Sequence, residues 1–324
     1  MSEPPEDAPP PRSAALRAVS LVLRVAVTTA MLVLILRSID VPQVWKTLSR
    51  ARPELLAAAL ALQLASGVAA AYRWHLVMRN LGFGGDAAFY FRSFFKGLFF
   101  NQALPGVGGD AFRVIDVARR GFRKRDSLYA VFLDRLLGLA TLMALSLLAL
   151  VLDPGLLPRE VHRAIGLVMA AGVAGASGVF WVGSLPWPRR HARAVVLLRS
   201  LSERARRAFS AHVAPVLVSS LLSPVLAIAC FFVAGRALGL AYGPLAYLVV
   251  VPPALVLSAL PVSIAGWGVR EGTLVGLFSL AGADRAAVLT LSLLYGVMVL
   301  LASLPGLVIF LGGRQNRPKG AAAP

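Results

Sequence analysis

Long apolar runs constrain the fold of this chain more than any other feature of its sequence. Several of them reach or exceed about 20 residues, the length of helix that crosses the hydrocarbon core of a bilayer. Across the 324 residues, 58% are hydrophobic and only 15% are charged, whereas a soluble domain of this size carries more charge on its surface. The sequence therefore predicts an all-α polytopic membrane protein.

The apolar runs are of two kinds. Six read as simple crossings, at residues 16–36, 54–72, 127–152, 164–185, 213–234 and 286–311. The other two, 87–104 and 244–265, each run into a Pro- and Gly-rich break that is followed by a short, more polar segment. We predict about six spanning helices plus two re-entrant or broken helical hairpins.

The same pattern predicts a single integral-membrane domain at residues 16–312. Residues 1–15 are Pro-rich and acidic, which is typical of a disordered tail, and residues 313–324 form a short basic tail.

Basic residues set the predicted orientation. The chain has 33 basic and 15 acidic residues, a formal net charge of +18. Nucleic-acid binding is one meaning of such a balance. In a membrane protein the commoner meaning is Lys and Arg in cytoplasmic loops, so we expect no nucleic-acid partner. Basic residues concentrate in 113–125 and 186–212, which two crossings separate, so both stretches and both termini are predicted to be cytoplasmic. The first loop, with Arg50 and Arg52, then falls outside despite its charge.

Cysteine and histidine give no sign of a metal centre. Cys230 is the only cysteine and lies in an apolar run, while the four histidines are scattered without an H-E-x-x-H pattern. We predict no disulfide framework, no bound metal and no cofactor.

The two breaks resemble each other. The stretch "ALPGVGGDAFR" (103–113) and the stretch "ALPVSIAGWGVRE" (259–271) both read Ala-Leu-Pro, a glycine cluster and then Arg. Downstream, Asp126 and Gly138 are 12 positions apart in the first copy. In the second copy the same spacing separates Asp284 from Gly296. Chance similarity between two Gly- and Pro-containing segments is the alternative explanation.

An internal repeat would have consequences for topology and function. An odd number of crossings separates the copies, so they would have opposite orientations, with halves at 54–152 and 213–311. Irregular backbone at membrane depth is tolerated where it is buried in protein or lines a wet cavity. Paired interruptions in an inverted repeat indicate the substrate site of a transporter.

The residues expected to interrupt the helices are Pro105, Gly106, Pro261, Gly266 and Gly268. Proline removes an amide donor and clashes with the preceding turn. Glycine permits unusual dihedral angles.

Polar residues and glycines gather at the first break. Gly108 and Gly109 would let the backbone approach a bound group. Asp110 and Arg113 are three residues apart and so share one face of the short helix, whose opening amides suit a phosphate. Asn101 is expected to satisfy freed backbone groups or to contact a headgroup.

Four ionisable residues fall at membrane depth, where each costs about 2.5–3.5 kcal/mol on insertion scales. Asp134 and Arg135 lie within one crossing and point about 100° apart, so each needs a partner on another helix. Arg270 and Glu271 follow the second break. One interpretation is that these residues form structural ion pairs that hold the two halves together. A second, compatible with it, is that the arginines bind an anionic headgroup while the carboxylates hold them or carry protons. Arg73, beside Tyr72 and Trp74, is interpreted as an interfacial anchor, and contact with the substrate is the alternative.

A competing motif lies in the same stretch. The letters "GVGGDA" (106–111) fit the dinucleotide fingerprint G-x-G-x-x-A, which requires a preceding strand and a βαβ unit. An apolar run ending in proline precedes it instead, so we do not interpret it as a nucleotide site.

At "FFNQALPGVGGDAFR", "LDRLLGL" and "LPVSIAGWGVREG" the sequence resembles the flippase-like membrane family related to the transmembrane region of lysylphosphatidylglycerol synthase. The resemblance spans nearly the whole chain. Asn101, Pro105, Gly108, Gly109, Asp110 and Arg113 match its first motif, and Gly266, Gly268, Arg270 and Glu271 match its second. One departure is Asp134, where the family more often has Glu.

The resemblance implies a multi-pass protein of the bacterial cytoplasmic (inner) membrane that moves lipids or lipid-linked intermediates between leaflets. Its partners would be membrane lipids, either an anionic phospholipid or a polyprenyl-phosphate-linked lipid. In the synthase a soluble aminoacyl-transfer domain follows the membrane region, whereas this chain ends about a dozen residues after its last predicted helix. We therefore do not expect lipid aminoacylation.

Our first hypothesis is a transporter with no catalytic residue, whose headgroup site contains Asn101, Gly108, Gly109, Asp110, Arg113, Asp134, Arg135, Arg270 and Glu271. A membrane-embedded glycosyltransferase or other lipid-modifying enzyme is the second hypothesis. The third is an accessory membrane subunit of a partner lipid synthase.

Overall fold

The computed structural model describes residues 49–103, 108–185, 193–260, 263 and 266–315. Within these ranges the chain forms helices and no strand. Five helices are long and apolar enough to cross a membrane, which confirms the all-α, multi-pass prediction. They correspond to five of the six predicted crossings. The sixth, at 16–36, and both predicted tails lie outside the residues that we describe structurally, apart from the end of the last helix.

The described helices are α1 (Pro53–Asn80), α2 (Ala87–Ala103), α3 (Gly108–Ala118), α4 (Lys124–Leu152), α5 (Arg159–Trp181), α6 (Arg193–Ala208), α7 (Val213–Ala237), α8 (Pro244–Ser258), α9 (Val269–Leu280) and α10 (Arg285–Gln315). The candidate spans are α1, α4, α5 (with the short 3-10 turn that follows it), α7 and α10.

Two pairs of short helices flank the predicted breaks. Helices α2 and α3 precede and follow the first break, and α8 and α9 do the same at the second. This order confirms that each interrupted apolar run is followed by a separate short helix. Pro105, Gly106 and Pro261 lie outside the described residues. Whether the pairs re-enter the membrane from opposite leaflets stays a prediction.

The packing of the helices repeats between the two halves. Helices α1, α2, α3 and α4 of the first half correspond in order to α7, α8, α9 and α10 of the second. When each helix is replaced by its counterpart, every main helix–helix contact is matched by another contact that the structure shows. Thus α2 packs on α10 as α8 packs on α4, and α1 packs on α10 as α7 packs on α4. The contacts between helices of the same half, such as α3 on α4 and α9 on α10, correspond in the same way. Helices α5 and α6 lie between the halves in sequence and outside this exchange.

The central helices α1 and α7 run antiparallel. The start of α1 meets the end of α7, where the Arg52 amide donates to the Ala237 carbonyl at 3.3 Å. At mid-length, Ser66 Oγ donates to the Ser223 carbonyl at 2.9 Å. The end of α1 meets the start of α7, where Asn80 Nδ2 donates to the Ala211 carbonyl. Because α1 and α7 are equivalent in the repeat, their antiparallel course is the arrangement that an inverted repeat requires.

Small residues allow the halves to pack closely. A Cβ atom added to Gly306 on α10 would lie 2.0 Å from the Phe95 carbonyl oxygen on α2, so any side chain there would separate the two backbones. Close approach through glycine is typical of helix interfaces in membranes, where lipid provides no hydrophobic drive between helices.

The two basic stretches meet at one end of the molecule, which we call the basic face. Arg204 on α6 pairs with Asp126 at the start of α4 at 2.6 Å. Asn80, at the end of α1, donates to the Ala208 carbonyl at 2.7 Å. The opposite end, where α1 starts and α7 ends, is called the far face. The common location of the basic stretches agrees with the sequence prediction that they share one side of the membrane.

Candidate functional site

A continuous chain of five charged side chains, the arginine cluster, connects α1, α3 and α4. Its members are Arg73, Asp134, Arg113, Asp110 and Arg135. Asp134 Oδ1 accepts from Arg73 Nε at 2.8 Å, and Asp134 Oδ2 accepts from Arg113 Nη2 at 2.7 Å. Arg113 Nη1 lies 3.4 Å from Asp110 Oδ1. Arg135 Nε donates to Asp110 Oδ2 at 2.9 Å, and Arg135 Nη2 donates to Asp110 Oδ1 at 3.2 Å.

Three different helices place these groups at similar depth. Asp134 is ten residues into α4, about 15 Å along its axis, and Arg73 is seven residues before the end of α1, about 10 Å. Both distances are measured from the basic face. Asp134 contacts Arg73 on α1 and Arg113 on α3, and Arg135 contacts Asp110 on α3, so each has a partner on another helix, as the sequence predicts.

Aromatic rings fix the central arginine. The Arg113 guanidinium carbon lies 3.9 Å from the centre of the Trp74 ring and 5.0 Å from that of Phe94. Such cation–π contacts are strongest where water is excluded, and the Arg113 side chain is only 3% exposed. Its Nε has no hydrogen-bond acceptor among the described residues. Arg113 is therefore a rigid, buried element of the cluster.

The α2–α3 hairpin is closed by glycine. A Cβ atom on Gly109 would lie 1.8 Å from the Gly97 carbonyl oxygen, and one on Gly97 would lie 2.7 Å from Arg113 Cγ. Asn101 Oδ1 accepts a hydrogen bond from the Gly109 amide at 3.0 Å, which confirms that Asn101 satisfies a backbone group beside the break. Gly108 begins α3 immediately before this contact. The arrangement presses α3 onto α2 and so sets the position of Asp110 and Arg113.

Charge and exposure are uneven along the arginine cluster. Three guanidinium groups and two carboxylates leave a net charge of +1. The side chains of Asp134 and Arg113 are nearly inaccessible, whereas that of Arg135 is 49% exposed. An anion from outside the cluster can therefore reach the excess positive charge only at Arg135, where it would compete with Asp110.

A second group of polar residues, the glutamate cluster, lies in the other half. Glu271 Oε1 accepts from Arg270 Nε at 3.1 Å and from Ser292 Oγ at 3.0 Å, and Glu271 Oε2 accepts from the Gly268 amide at 2.6 Å. Trp267 and Tyr295 place their ring centres 5.1 and 5.4 Å from the Arg270 guanidinium carbon. The pair is neutral and closed: Arg270 is 5% exposed and Glu271 is inaccessible.

Two glycines shape the backbone of this second cluster. Gly266 has φ +78° and Gly268 has φ +86°, conformations that L side chains rarely adopt. They turn the chain into α9 so that the Gly268 amide points at Glu271. The expectation that Gly266 and Gly268 shape the second break is consistent with this geometry.

Glycines at corresponding positions of α4 and α10 each lie beside an arginine. A Cβ atom on Gly138 would lie 3.2 Å from the Arg73 guanidinium nitrogens, and one on Gly296 would lie 2.7 Å from Arg270 Nη2. Each glycine thus leaves room for an arginine side chain from another helix. The two arginines come from helices that are not equivalent, α1 in the first half and α9 in the second.

The structure brings some of the predicted site residues together and separates others. Asp110, Arg113, Asp134 and Arg135 form one cluster, while Arg270 and Glu271 belong to another. Within the described residues, the ion pairs of each cluster join helices of one half only, so the interpretation that they hold the two halves together was wrong. Packing of α1 on α7, of α2 on α10 and of α4 on α8 connects the halves instead.

Three participants are not among the predicted site residues. Arg73 is not an interfacial anchor, because it is 6% exposed and paired with Asp134. Trp74 supports Arg113, and Ser292 holds Glu271. A usable signal for Arg73 was available: Gln63, Ser66, Ala70 and Arg73 follow a helical spacing on α1 and are all buried.

Comparison with known proteins adds a relative and a family. Over 162 residues the chain is 30% identical to a Haloferax volcanii protein named Glycosyltransferase AglD. The match covers 50% of this chain and 26% of that protein, so the chain spans about a quarter of the relative's length. Residues 21–306, most of the chain, match the family described as the Lysylphosphatidylglycerol synthase TM region. The chain belongs to this membrane-protein family.

Proposed function

We propose that this protein moves an anionic phospholipid or a lipid-linked phosphate between the two leaflets of a membrane. The headgroup phosphate would bind at Arg135, while the acyl or polyprenyl chains stay in the bilayer. No nucleotide-hydrolysis motif is recognisable in the sequence, so movement would be downhill or coupled to an ion gradient.

The observation that carries this proposal is the excess cation of the arginine cluster. A guanidinium offers a planar pair of donors that fits phosphate oxygens. At Arg135 this group is half-exposed, lies at membrane depth and is held by one carboxylate, Asp110. A phosphate that replaced Asp110 on Arg135 would free that carboxylate to pair more closely with Arg113, from which it is now 3.4 Å away. Ligand binding could thus shift the position of α3 relative to α4.

The glutamate cluster differs from the arginine cluster in a way that indicates a structural role. Arg270 pairs with Glu271, which balances its charge, and lies beside the aromatic rings of Trp267 and Tyr295. Removing its partner would leave a buried charge, which is costly. We therefore assign Arg270 and Glu271 to holding α9 against α10, and we place the headgroup site in the first half, at the arginine cluster.

The proposed setting is the bacterial cytoplasmic membrane with the basic face in the cytoplasm. Lys and Arg are concentrated in cytoplasmic loops of membrane proteins, and here they gather on α6 and at the start of α4. In this orientation α2 and α3 form a re-entrant hairpin that opens from the cytoplasm. The arginine cluster then lies about 10–15 Å below the surface from which the headgroup enters.

Arg135→Gln tests the proposal. We expect the rate of phosphatidylglycerol movement in proteoliposomes to fall about 10-fold or more, because a charge-assisted hydrogen bond contributes about 1.5–3 kcal/mol. The measurement is the dithionite-accessible fraction of a headgroup-labelled fluorescent phosphatidylglycerol over time. A zwitterionic phosphatidylcholine analogue is followed in parallel, and its rate is expected to be lower than that of the anionic lipid.

Arg163→Gln is the matched control, since Arg163 is an exposed arginine of the membrane-spanning helix α5 without a partner among the described residues. It should move lipid like the unchanged protein. Equal rates for Arg135→Gln and Arg163→Gln, at equal reconstitution and melting temperature, would exclude Arg135 from the mechanism. A protein that moves no lipid, with or without an imposed ion gradient, would exclude the function itself.

The relative named a glycosyltransferase favours a second candidate function. The chain could be the membrane part of a lipid-modifying enzyme, or an accessory membrane subunit of a lipid synthase. Turnover of a sugar-nucleotide donor by the purified chain would support the enzyme. Stable copurification with a synthase, together with no lipid movement by the chain alone, would support the accessory role.

A further inference from the structure

A cleft at the far face gathers three arginines. It has a volume of about 1100 Å³ and lies where α1 starts, α7 ends and α8 starts. Among the described residues, Arg50, Arg52 and Arg236 line it together with Leu55, Gly243 and Pro244. This volume is slightly above the range of about 300–1,000 Å³ that is typical of small-molecule pockets.

The charges in this cleft are not compensated by its own lining. No acidic side chain occurs among its described lining residues. Arg50, Arg52 and Arg236 are exposed, and none of them forms an ion pair with a described acid. This contrasts with the arginine cluster, where each guanidinium has a carboxylate.

Backbone dipoles add to the positive potential. Helices α1 and α8 both begin at the cleft, each with a proline in its first turn and no side-chain cap at its N-terminus. The free amides of such ends carry partial positive charge and suit phosphate oxygens. The carbonyl end of α7 is closed by its own turn, in which the amides of Leu238, Gly239 and Leu240 return to its last carbonyls. The negative end of that helix is therefore masked.

The cleft lies far from the arginine cluster. Arg52 and Arg73 are 21 residues apart at the start and near the end of α1, which is about 31 Å along the helix axis. This distance is comparable with the hydrocarbon thickness of a bilayer. The two cationic sites are thus placed towards opposite membrane surfaces.

We infer that the far-face cleft is a second binding site for a phosphate group, with Arg50, Arg52 and Arg236 as its cationic contacts. A role for this site as a second binding position of the lipid phosphate during leaflet exchange rests on the proposed function. Phosphate binding at the site does not depend on that function. It also accounts for the basic first loop, whose predicted external position conflicts with the usual distribution of Lys and Arg.

Equilibrium binding tests the inference. The full chain carrying Arg135→Gln, which removes the exposed cation of the first site, is titrated in neutral detergent by calorimetry. The probes are dioctanoyl-phosphatidylglycerol, inorganic phosphate and dioctanoyl-phosphatidylcholine. We expect saturable binding of the anionic lipid. Adding Arg50→Gln, Arg52→Gln and Arg236→Gln should weaken it about 10-fold or more, because several charge-assisted contacts are removed.

Arg163→Gln in the same background is the control, and it should leave the dissociation constant unchanged. Interfacial anchoring by the three arginines is the alternative, and it predicts equal affinity in the triple variant and the control. The single change Arg236→Glu provides a second variant, which should weaken binding at an unaltered melting temperature.

The probes distinguish the source of the phosphate. If the lipid binds and inorganic phosphate displaces it, the site is assigned to a lipid headgroup. If inorganic phosphate binds and the lipid does not, the site is assigned to a soluble anion. Saturable binding of neither, or equal binding of the phosphatidylcholine, overturns the inference. A chain that binds phosphate here and moves no lipid would contradict the proposed function and leave this site standing.

Discussion

Asp134→Asn is expected to lower the free energy of unfolding by about 3–5 kcal/mol, because it leaves two buried arginines without a carboxylate between them. Asp134 is the common partner of Arg73 and Arg113, and all three side chains are less than 10% exposed. A loss of this size corresponds to roughly 10 °C in melting temperature, which is measured on the purified protein by thermal denaturation in detergent.

Asp126→Asn is the internal control for this experiment. Asp126 also lies on α4 and also pairs with an arginine, Arg204, but both side chains are about 30% exposed. Solvent-exposed pairs contribute about 0–1 kcal/mol, so the control should melt within a few degrees of the unchanged protein. Equal shifts for the two variants would show that the arginine cluster is not a buried network.

Gly109→Ala is expected to disrupt both the fold of the first hairpin and lipid movement. The added Cβ would lie 1.8 Å from the Gly97 carbonyl oxygen, a backbone atom that cannot turn away, so α3 must move off α2. Overpacking of this kind costs about 1–3 kcal/mol. Because α3 carries Asp110 and Arg113, the arginine cluster would shift with it. The measurements are the melting temperature and the rate of phosphatidylglycerol movement in proteoliposomes.

Gly276→Ala provides the comparison in the equivalent short helix α9. No atom lies within 4 Å of a Cβ added there, and alanine is the better helix former, so stability should be unchanged or higher by up to about 1 kcal/mol. If Gly109→Ala also left melting and lipid movement unchanged, the close contact of α2 and α3 would not be part of the site.

The fold followed from the sequence to a large extent. Hydropathy located the described spanning helices, since uninterrupted apolar runs of this length have few other stable arrangements. The similar Ala-Leu-Pro breaks, with the Asp-to-Gly spacing of α4 and α10, predicted an internal repeat, and the helix packing agrees with it. The antiparallel course of α1 and α7 agrees with the inverted orientation expected from an odd number of crossings.

The candidate site was only partly predictable. Asp134 and Arg135 could be identified from the sequence because ionisable groups are rare at membrane depth. The partner of Asp134 was less evident, since Arg73 follows Tyr72 in a segment whose aromatic residues are typical of a membrane interface. Long-range pairing depends on where α1 crosses α4, and helix periodicity within one segment does not contain that information. The same reason explains why the difference between the open arginine cluster and the closed glutamate cluster emerged only from the structure.

The most direct test of the central claim is the position of the lipid phosphate during binding. A phosphatidylglycerol analogue with a photoreactive headgroup is irradiated in proteoliposomes that contain the full chain, and the labelled peptides are identified by mass spectrometry. Our account predicts labelling within residues 108–135, competition by unlabelled phosphatidylglycerol and a marked decrease in Arg135→Gln. Labelling confined to the lipid-facing surface of α5, such as Leu167 and Val168, and unchanged by Arg135→Gln would contradict it.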